Sequence, residues 1–399
     1  MPKKNTDLRP LEGIVVADFS RVLAGPLSTQ MLGDLGARII KIEEPGRGDE
    51  TRRWGPPFLG GVSTYFLSVN RNKESLTVDL KSPKGAEIAR RLIERVDVVV
   101  DNFLPRQKKS LHLTGREILA VNPRAVACSI GGYDAKGPEK DRSGYDLLAQ
   151  AESGLMSITG PEDGDPMKVG VALADVLTAH HAVGAINAAL FARERSGEGT
   201  SISVSLFGST VASLVNVAQA VLATGREAER YGNAHASIVP YESFRAKDRA
   251  FVVGVGTDRQ FAELCRAIGH PELGEDRRYA TNGARVKNRV SLKQVLEPIF
   301  ARGRAQTWVD RCRKRGIPAA VVRGVREALE SDEAKSIVAT LDHQQLGRLR
   351  AVEYPVRFDG RHLGSQLAPP ELGQHTDRVL RELGFKAPDI RRLRSEQIV

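Results

Sequence analysis

Among the side chains that could do chemistry in this 399-residue sequence, the carboxylate of Asp175 stands out by its setting. It follows the apolar run Val169–Ala174. It heads a pattern with apolar residues at 176, 177, 182, 183, 186, 189 and 190, which predicts a core-facing helix over Val176–Ala192. A carboxylate at a helix start lies among unpaired backbone N–H groups and the positive end of the helix dipole, which favour its charged form. On spacing alone it reads as an N-cap. Other site types are missing from the sequence. The turn after the first apolar run is Ser20-Arg-Val-Leu-Ala-Gly25, without the glycine fingerprint of dinucleotide binding. There is no phosphate-binding loop, His-Glu-x-x-His helix or Gly-x-Ser-x-Gly elbow. His180 and His181 are adjacent, so on a helix they diverge by about 100° and do not converge on one metal. Cys128, Cys265 and Cys312 are few and far apart, which argues against a disulfide framework or a cysteine zinc site. Neither a metal nor a prosthetic group is expected.

The net charge is +10, but Lys and Arg are interspersed with Asp and Glu. The densest basic runs, Lys108-Lys109, Arg311–Arg315 and Arg391–Arg394, are short enough to be solvated helix faces. Aromatic residues make up only 5% and do not interleave with the basic ones, so nucleic acid is not the expected partner. A small anionic ligand accounts for the charge better. No run of eighteen apolar residues occurs and Met1–Pro10 is polar, so neither a membrane association nor a signal segment is expected, and the cytoplasm is the default compartment.

The elements that must position Asp175 alternate. Ile14–Phe19, Ala37–Glu43, Ser75–Leu80, Val98–Val100, Ala125–Ile130 and Thr200–Leu206 read as strands. Between them lie helical spacing over Pro26–Gly36 and a helix opened by Ser82-Pro83, a capping hydroxyl followed by proline in the first turn. The expectation is an α/β fold, a Rossmann-like parallel sheet with helices on both faces. Residues 131–170 read as a long functional loop rich in Gly, Pro, Ser and Asp. Composition shifts near Gly225. The expected organisation is a large domain over 1–224, a smaller α/β domain over 225–330, and a tail over 331–399 that returns to the large one, with a strand over Arg350–Phe358 and a final charged helix.

A set of short motifs runs through the chain in order. They are Asp18-Phe19, Ala24-Gly-Pro26, Lys41-Ile-Glu43, Gly48-Asp49, Thr51-Arg52, Asn70-Arg-Asn-Lys73, Asp79-Leu-Lys81, Asp101-Asn-Phe103, Gly144-Tyr-Asp146, Leu372-Gly373 and His375-Thr376. With Asp175 behind a glycine-flanked loop, this series resembles the class III CoA-transferases over nearly the whole chain. That is the family of formyl-CoA transferase, carnitine CoA-transferase and succinyl-CoA-dependent dicarboxylate transferases.

The resemblance implies that Asp175 is a nucleophile. It would attack the thioester carbonyl of a donor acyl-CoA, pass through a mixed anhydride and an aspartyl-CoA thioester, and hand CoA to an acceptor acid. It implies CoA contacts from Arg21, Val22, Val78, Lys81, Asn102, Phe103, Lys109 and Leu111. It places Leu23, Arg52, Trp54, Tyr65, Tyr145, Asp146 and His235 on the substrate side. Arg52 either binds the distal carboxylate of a dicarboxylic acid or forms a structural salt bridge. The family also implies an interlocked homodimer. Its expected substrates are succinyl-CoA and a small carboxylic or dicarboxylic acid.

The chain departs from the family pattern at Ser110, where an arginine commonly holds CoA; Arg106, Lys108 or Lys109 is the expected substitute. Glu74 stands where arginine is common. Leu23 replaces a glutamine of formyl-CoA transferase and that enzyme's glycine-rich flap has no counterpart near 225–250, which argues against formyl-CoA and oxalate. Two rivals remain. The α-methylacyl-CoA racemases share the fold but use a histidine where this chain has Tyr145, a poor proton acceptor near neutral pH. The other is a CoA- or nucleic-acid-binding protein without chemistry.

Overall fold

A computed structural model describes residues 9–399, so most of the polar N-terminal segment lies outside the described residues. The chain forms two compact units. One contains the chain up to Leu155, Val169–Leu222 and Asp332–Val399, and the other contains Met156–Lys168 and Ala223–Ser331.

The first unit is built on β1 (Val15–Asp18), α1 (Ala24–Asp34), β2 (Arg38–Glu43), β3 (Lys73–Thr77), α2 (Pro83–Ile93), β4 (Val98–Asp101), α3 (Pro105–Ser110), β5 (Val126–Gly131), α4 (Asp146–Glu152), α5 (Leu173–Ser196) and β6 (Thr200–Ser205). The six strands form one parallel sheet in the order β3-β2-β1-β4-β5-β6. Alternate residues feed two cores. Ala17, Ile40, Leu76 and Val99 pack with α2 and the C-terminal helices. Val16, Ile39, Val98, Val100 and Cys128 pack with α1 and α5 on the other face. Burial on both faces explains why the inner strands β1, β4 and β5 read as largely continuous apolar runs, whereas the edge strands β3 and β6 carry polar residues. The direction in which successive strands are added to the sheet reverses between β1 and β4. The crevice beyond their carboxyl ends is the switch point where open α/β sheets bind ligands.

The structure redraws several local expectations. α5 begins at Leu173, so Asp175 lies inside its first turn, and its N-cap position is Ala172. The supposed loop over 131–170 contains α4, seven residues long. The region after β6 holds two helices, Leu206–Ala212 and Val215–Thr224, bent by 77° at their junction, where Val215 takes φ 44°. Arg350–Phe358 is two separate strands, Gly347–Val352 and Arg357–Phe358, and the final helix is two, Thr376–Glu382 and Ala387–Ser395. Among the described residues no single helix is long and apolar enough to cross a membrane.

The second unit carries an antiparallel three-stranded sheet of Tyr241–Arg245, Ala250–Gly254 and Ala319–Val321 with its own aromatic core around Phe251 and Phe300. Thr257 caps its first long helix by accepting the Gln260 N–H. Residues 156–168, assigned above to the large domain, pack in this unit. Arg230 donates to the carbonyl oxygens of Ser157 at 3.0 Å and Pro161 at 2.8 Å, and also to that of Gly164.

Candidate active site

The loop after β1 carries the site's backbone. Asn102, at the end of β4, reaches across the crevice and bonds the main chain of Arg21 twice: its Oδ1 accepts the Arg21 N–H at 3.0 Å and its Nδ2 donates to the Arg21 carbonyl at 2.8 Å. The next residue, Val22, has φ 70°, a left-handed conformation that is costly for a β-branched side chain. Both Asp49 carboxylate oxygens hold its N–H, at 3.3 and 3.4 Å. Asp49 in turn pairs with Lys41 at 2.9 Å, both side chains fully buried. The Lys41 Nζ also donates to the Ser20 carbonyl at 2.9 Å. Behind this lies Asp18, paired with Lys73 at 3.0 Å and accepting from the Ser20 and Thr29 hydroxyls. Burial alone would raise the Asp18 pKa, but Lys73, Lys41 and the two hydroxyls bring it down to about 2. Burial, with Lys41 nearby, lowers the Lys73 ammonium to about 8 despite Asp18. A charged network thus fixes a strained loop.

Two cavities open along this loop. One, about 180 Å³, is lined by Val78, Lys81, Ser110 and Leu111. The other, about 380 Å³, is lined by Val22, Leu23, Asn102, Tyr145 and Asp175. Arg21, Phe103 and Gln107 line both, and the Arg21 guanidinium lies over the Phe103 ring at 5.3 Å from its centroid. The two are therefore neighbours that share these three side chains as a wall, and side by side they form a groove region from the β3 side of the sheet to Asp175. Gly132 and Gly144 touch beside it: a Cβ on Gly144 would lie 2.1 Å from the Gly132 Cα, so neither position has room for a side chain.

Asp175 is half-buried. The first N–H of α1, that of Ala24, lies toward its carboxyl group and favours the charged form. The terminus of α1 thus acts electrostatically on this carboxylate, while Asp146 takes the Ala174 N–H of Asp175's own helix at 2.9 Å. Desolvation by burial is the main influence on Asp175 and the neighbouring Asp146 adds to it. Together they outweigh the influence of the Ala24 N–H and push its pKa up to about 7. The dipole argument anticipated a firmly ionised carboxylate; a desolvated site without a cation partner produces the opposite shift. Tyr65 lies close enough to Asp175 and Asp146 that burial and then their charges raise its hydroxyl to about 12.

Not every expected contact is oriented toward the groove. Arg52 forms a two-point salt bridge with Glu43 at 2.7 and 2.8 Å, donates to the Pro370 carbonyl and stacks on Phe66 at 3.7 Å, which is the structural alternative. Asp146 is likewise engaged with backbone and with Gln150 at 2.7 Å. Trp54 packs edge-on against Tyr65 at 5.2 Å and lines a neighbouring cavity with Arg21, Arg47 and Arg53. His235 belongs to the second unit, where it packs on Tyr241 at 5.6 Å. Of the three basic residues near Ser110, Arg106 lines the groove. Lys108 turns inward to Ser129 at 2.5 Å and Asp101 at 3.9 Å, and exposed Lys109 lines none of these cavities. Glu74 is neutralised by Arg38 at 2.8 Å and Arg378 at 2.9 Å. Sequence reasoning passed over Gln107, Lys140 and Arg142, which line the groove, and Gln150. Only Gln150 left a trace, four residues after Asp146 on what proves to be one helical face.

Among the described residues no group of three or more His, Cys, Asp or Glu side chains could hold a metal. A family model described as CoA-transferase family III matches residues 11–376. The chain is 43% identical over 385 residues to a succinyl-CoA:glutarate CoA-transferase of Mus musculus, covering 96% of this chain and 88% of that protein. It is 38% identical to a succinate–glutarate CoA-transferase of Agrobacterium fabrum, covering 94% and 96%. A crystal structure of a CAIB/BAIF family protein from Brucella suis superposes with a TM-score of 0.84 at 37% identity, covering 94% of this chain and 99% of that one.

Proposed function

Given that the chain belongs to CoA-transferase family III and is a CoA-transferase, we propose that it moves CoA from succinyl-CoA to a small dicarboxylic acid such as glutarate, with Asp175 as the nucleophile. The observation that carries this reading is the placement of Asp175 at the end of the groove formed by Arg21, Phe103 and Gln107. Arg21, Val22, Val78, Lys81, Asn102, Phe103 and Leu111 hold CoA along that groove, Asn102 by fixing the Arg21 main chain. Leu23 and Tyr145 bound the acyl pocket.

An Asp175 oxygen attacks the thioester carbonyl, the C–S bond breaks and CoA leaves as thiolate. The thiolate then attacks the aspartyl carbonyl of the mixed anhydride and releases succinate. The acceptor carboxylate attacks the aspartyl thioester and again expels thiolate. Thiolate attack on the acceptor acyl carbonyl of this second anhydride yields the new acyl-CoA and frees Asp175. A carboxylate whose basicity is raised by desolvation is a stronger nucleophile than a solvated one, and no cation beside Asp175 neutralises it.

The test is incubation with succinyl-CoA and a panel of free acids, with mass spectrometry of new thioesters and hydroxylamine trapping at Asp175. New glutaryl-CoA and a hydroxamate at that residue are expected; full activity in Asp175→Ala would refute the mechanism. The working form is proposed to be an interlocked homodimer. The helix Val215–Thr224 supports this reading: it is apolar yet has no buried residue, and Leu222 is 80% exposed. Light scattering that finds a monomer at assay concentrations would refute the dimer.

A further inference from the structure

We propose that Asp146 and Gln150 act together as a clamp on the segment leading into Asp175, and that both are positioning residues for the transfer reaction. The proposal rests on Asp175 being the nucleophile. The two residues are four apart on α4 and so share one face. Their side chains bond each other, Gln150 Nε2 donating to Asp146 Oδ2 at 2.7 Å. Each then holds a different point of one short stretch of backbone. Asp146 Oδ1 accepts the Ala174 N–H at 2.9 Å. Gln150 Oε1 accepts the Val169 N–H at 2.8 Å, and its Nε2 also donates to the Val171 carbonyl at 3.3 Å. Residues 169, 171 and 174 are thus tied to one rigid helix immediately before the nucleophile.

The chemistry makes this bonding consequential. Gln150 is fully buried, so each of its polar atoms needs a partner, and the backbone supplies it. No α5 side chain caps the helix, so its first turn depends on Asp146 from another element. Attack on a thioester tolerates little positional error: a misplacement on the order of 1 Å costs about 100-fold. A clamp that holds the approach to Asp175 at three backbone positions limits that error without touching substrate.

The donor and acceptor pattern supplies the test. In Asp146→Asn an amide donor faces the Gln150 amide donor. In Gln150→Glu two carboxylates face each other. In the double variant Asp146→Asn/Gln150→Glu, the new amide donates to the new carboxylate, while the Asn oxygen still accepts from Ala174 and the Glu oxygen from Val169; only the long donation to the Val171 carbonyl is lost, so recovery is partial. Steady-state kinetics on the full-length enzyme should find kcat lowered about 10- to 100-fold in each single variant, with KM for succinyl-CoA within about twofold. The double variant should recover at least about half of the lost kcat on a logarithmic scale, a non-additivity that independent losses of packing would not produce. Single variants with wild-type kcat, or a double variant no better than the worse single, would overturn the clamp. If a single variant does not fold, the double is still decisive: a folded double below about one-hundredth of wild-type kcat overturns it. Asp175→Ala in the same assay separates the two ideas. Activity there removes the nucleophile reading, whereas an inactive Asp175→Ala beside unaffected Asp146 and Gln150 variants removes only the clamp.

Discussion

Asp18 and Asp175 are two carboxylates withdrawn from water in the same unit, one behind the loop after β1 and one beside its far end, and their environments push them in opposite directions. Asp18 has a buried lysine at 3.0 Å and two hydroxyl donors, and its pKa falls to about 2. Asp175 has a single backbone N–H and a like-charged neighbour, and its pKa rises to about 7. Burial is the largest influence on both, so burial does not separate a structural carboxylate from a reactive one. The partners do. A cation that stabilises the charge also removes its reactivity, and the fold spends its lysines on Asp18 and Asp49 while leaving Asp175 without one.

The comparison breaks most sharply on removal of each carboxylate. Asp175→Ala should reduce transfer by more than about 1,000-fold in a thioester-exchange assay, as loss of a covalent nucleophile does. The same variant should not lose stability at pH 8, and its Tm should rise by about 1–2 °C, equivalent to roughly 1 kcal/mol for a chain of this size. Asp18→Ala should do the reverse. Leaving Lys73 buried and unpaired should cost about 3–5 kcal/mol in thermal or urea unfolding, with activity falling only as the folded fraction falls. Removing both charges in Asp18→Leu/Lys73→Met should recover most of that loss, because an apolar pair avoids the desolvation cost. If the double remains as unstable as Asp18→Ala, the network has a role beyond mutual neutralisation.

A smaller effect distinguishes the basic residues around Ser110. Arg106 lines the groove and Lys109 does not, so Arg106→Ala should raise KM for succinyl-CoA about tenfold and Lys109→Ala by less than about twofold. Equal effects would mean that phosphate recognition lies outside the groove. The gentlest probe is pH. Asp175 must be ionised to attack, so kcat/KM should fall as pH drops below about 7, with a slope of one proton. The stability sign follows from the same group. Its folded pKa lies above the unfolded value of 3.8, so the native state binds more protons between about 4 and 7. That contribution favours the fold at low pH and is lost as pH rises through about 7, whereas the Asp18 contribution is present above 3.8 and lost as pH falls toward about 2. A kcat/KM profile flat from pH 5 to 8 would contradict the unpaired state of Asp175.

Much of the framework was legible before any coordinates. The inner strands β1, β4 and β5 come out at the expected places because their residues are apolar on both faces, and Ser82 caps α2 as its Ser-Pro signal implied. The site was legible in part. Arg21, Val22, Leu23, Asn102, Phe103, Tyr145 and Asp175 come together along one groove. What stayed open or was missed has a common cause. Arg52 stood open between a carboxylate binder and a structural salt bridge, because sequence does not reveal that Glu43 occupies it at 2.7 Å. The helix α4 was read as loop because seven residues between glycines and serines carry too little periodicity to register.

The sequence by itself determined the alternation of strands and helices and the presence of a carboxylate at a helix start, because burial and capping are local demands on residue type. It also carried the motif order that implies the family. Only the tertiary structure decided which groups surround that carboxylate. Asp175 faces the first N–H of α1, at Ala24, 151 positions away in the chain, while Asp146 rather than Asp175 accepts from the first turn of α5. Whether a buried charge is paired or left alone depends on groups brought together from distant segments, and pairing, not residue type, separates Asp18 from Asp175.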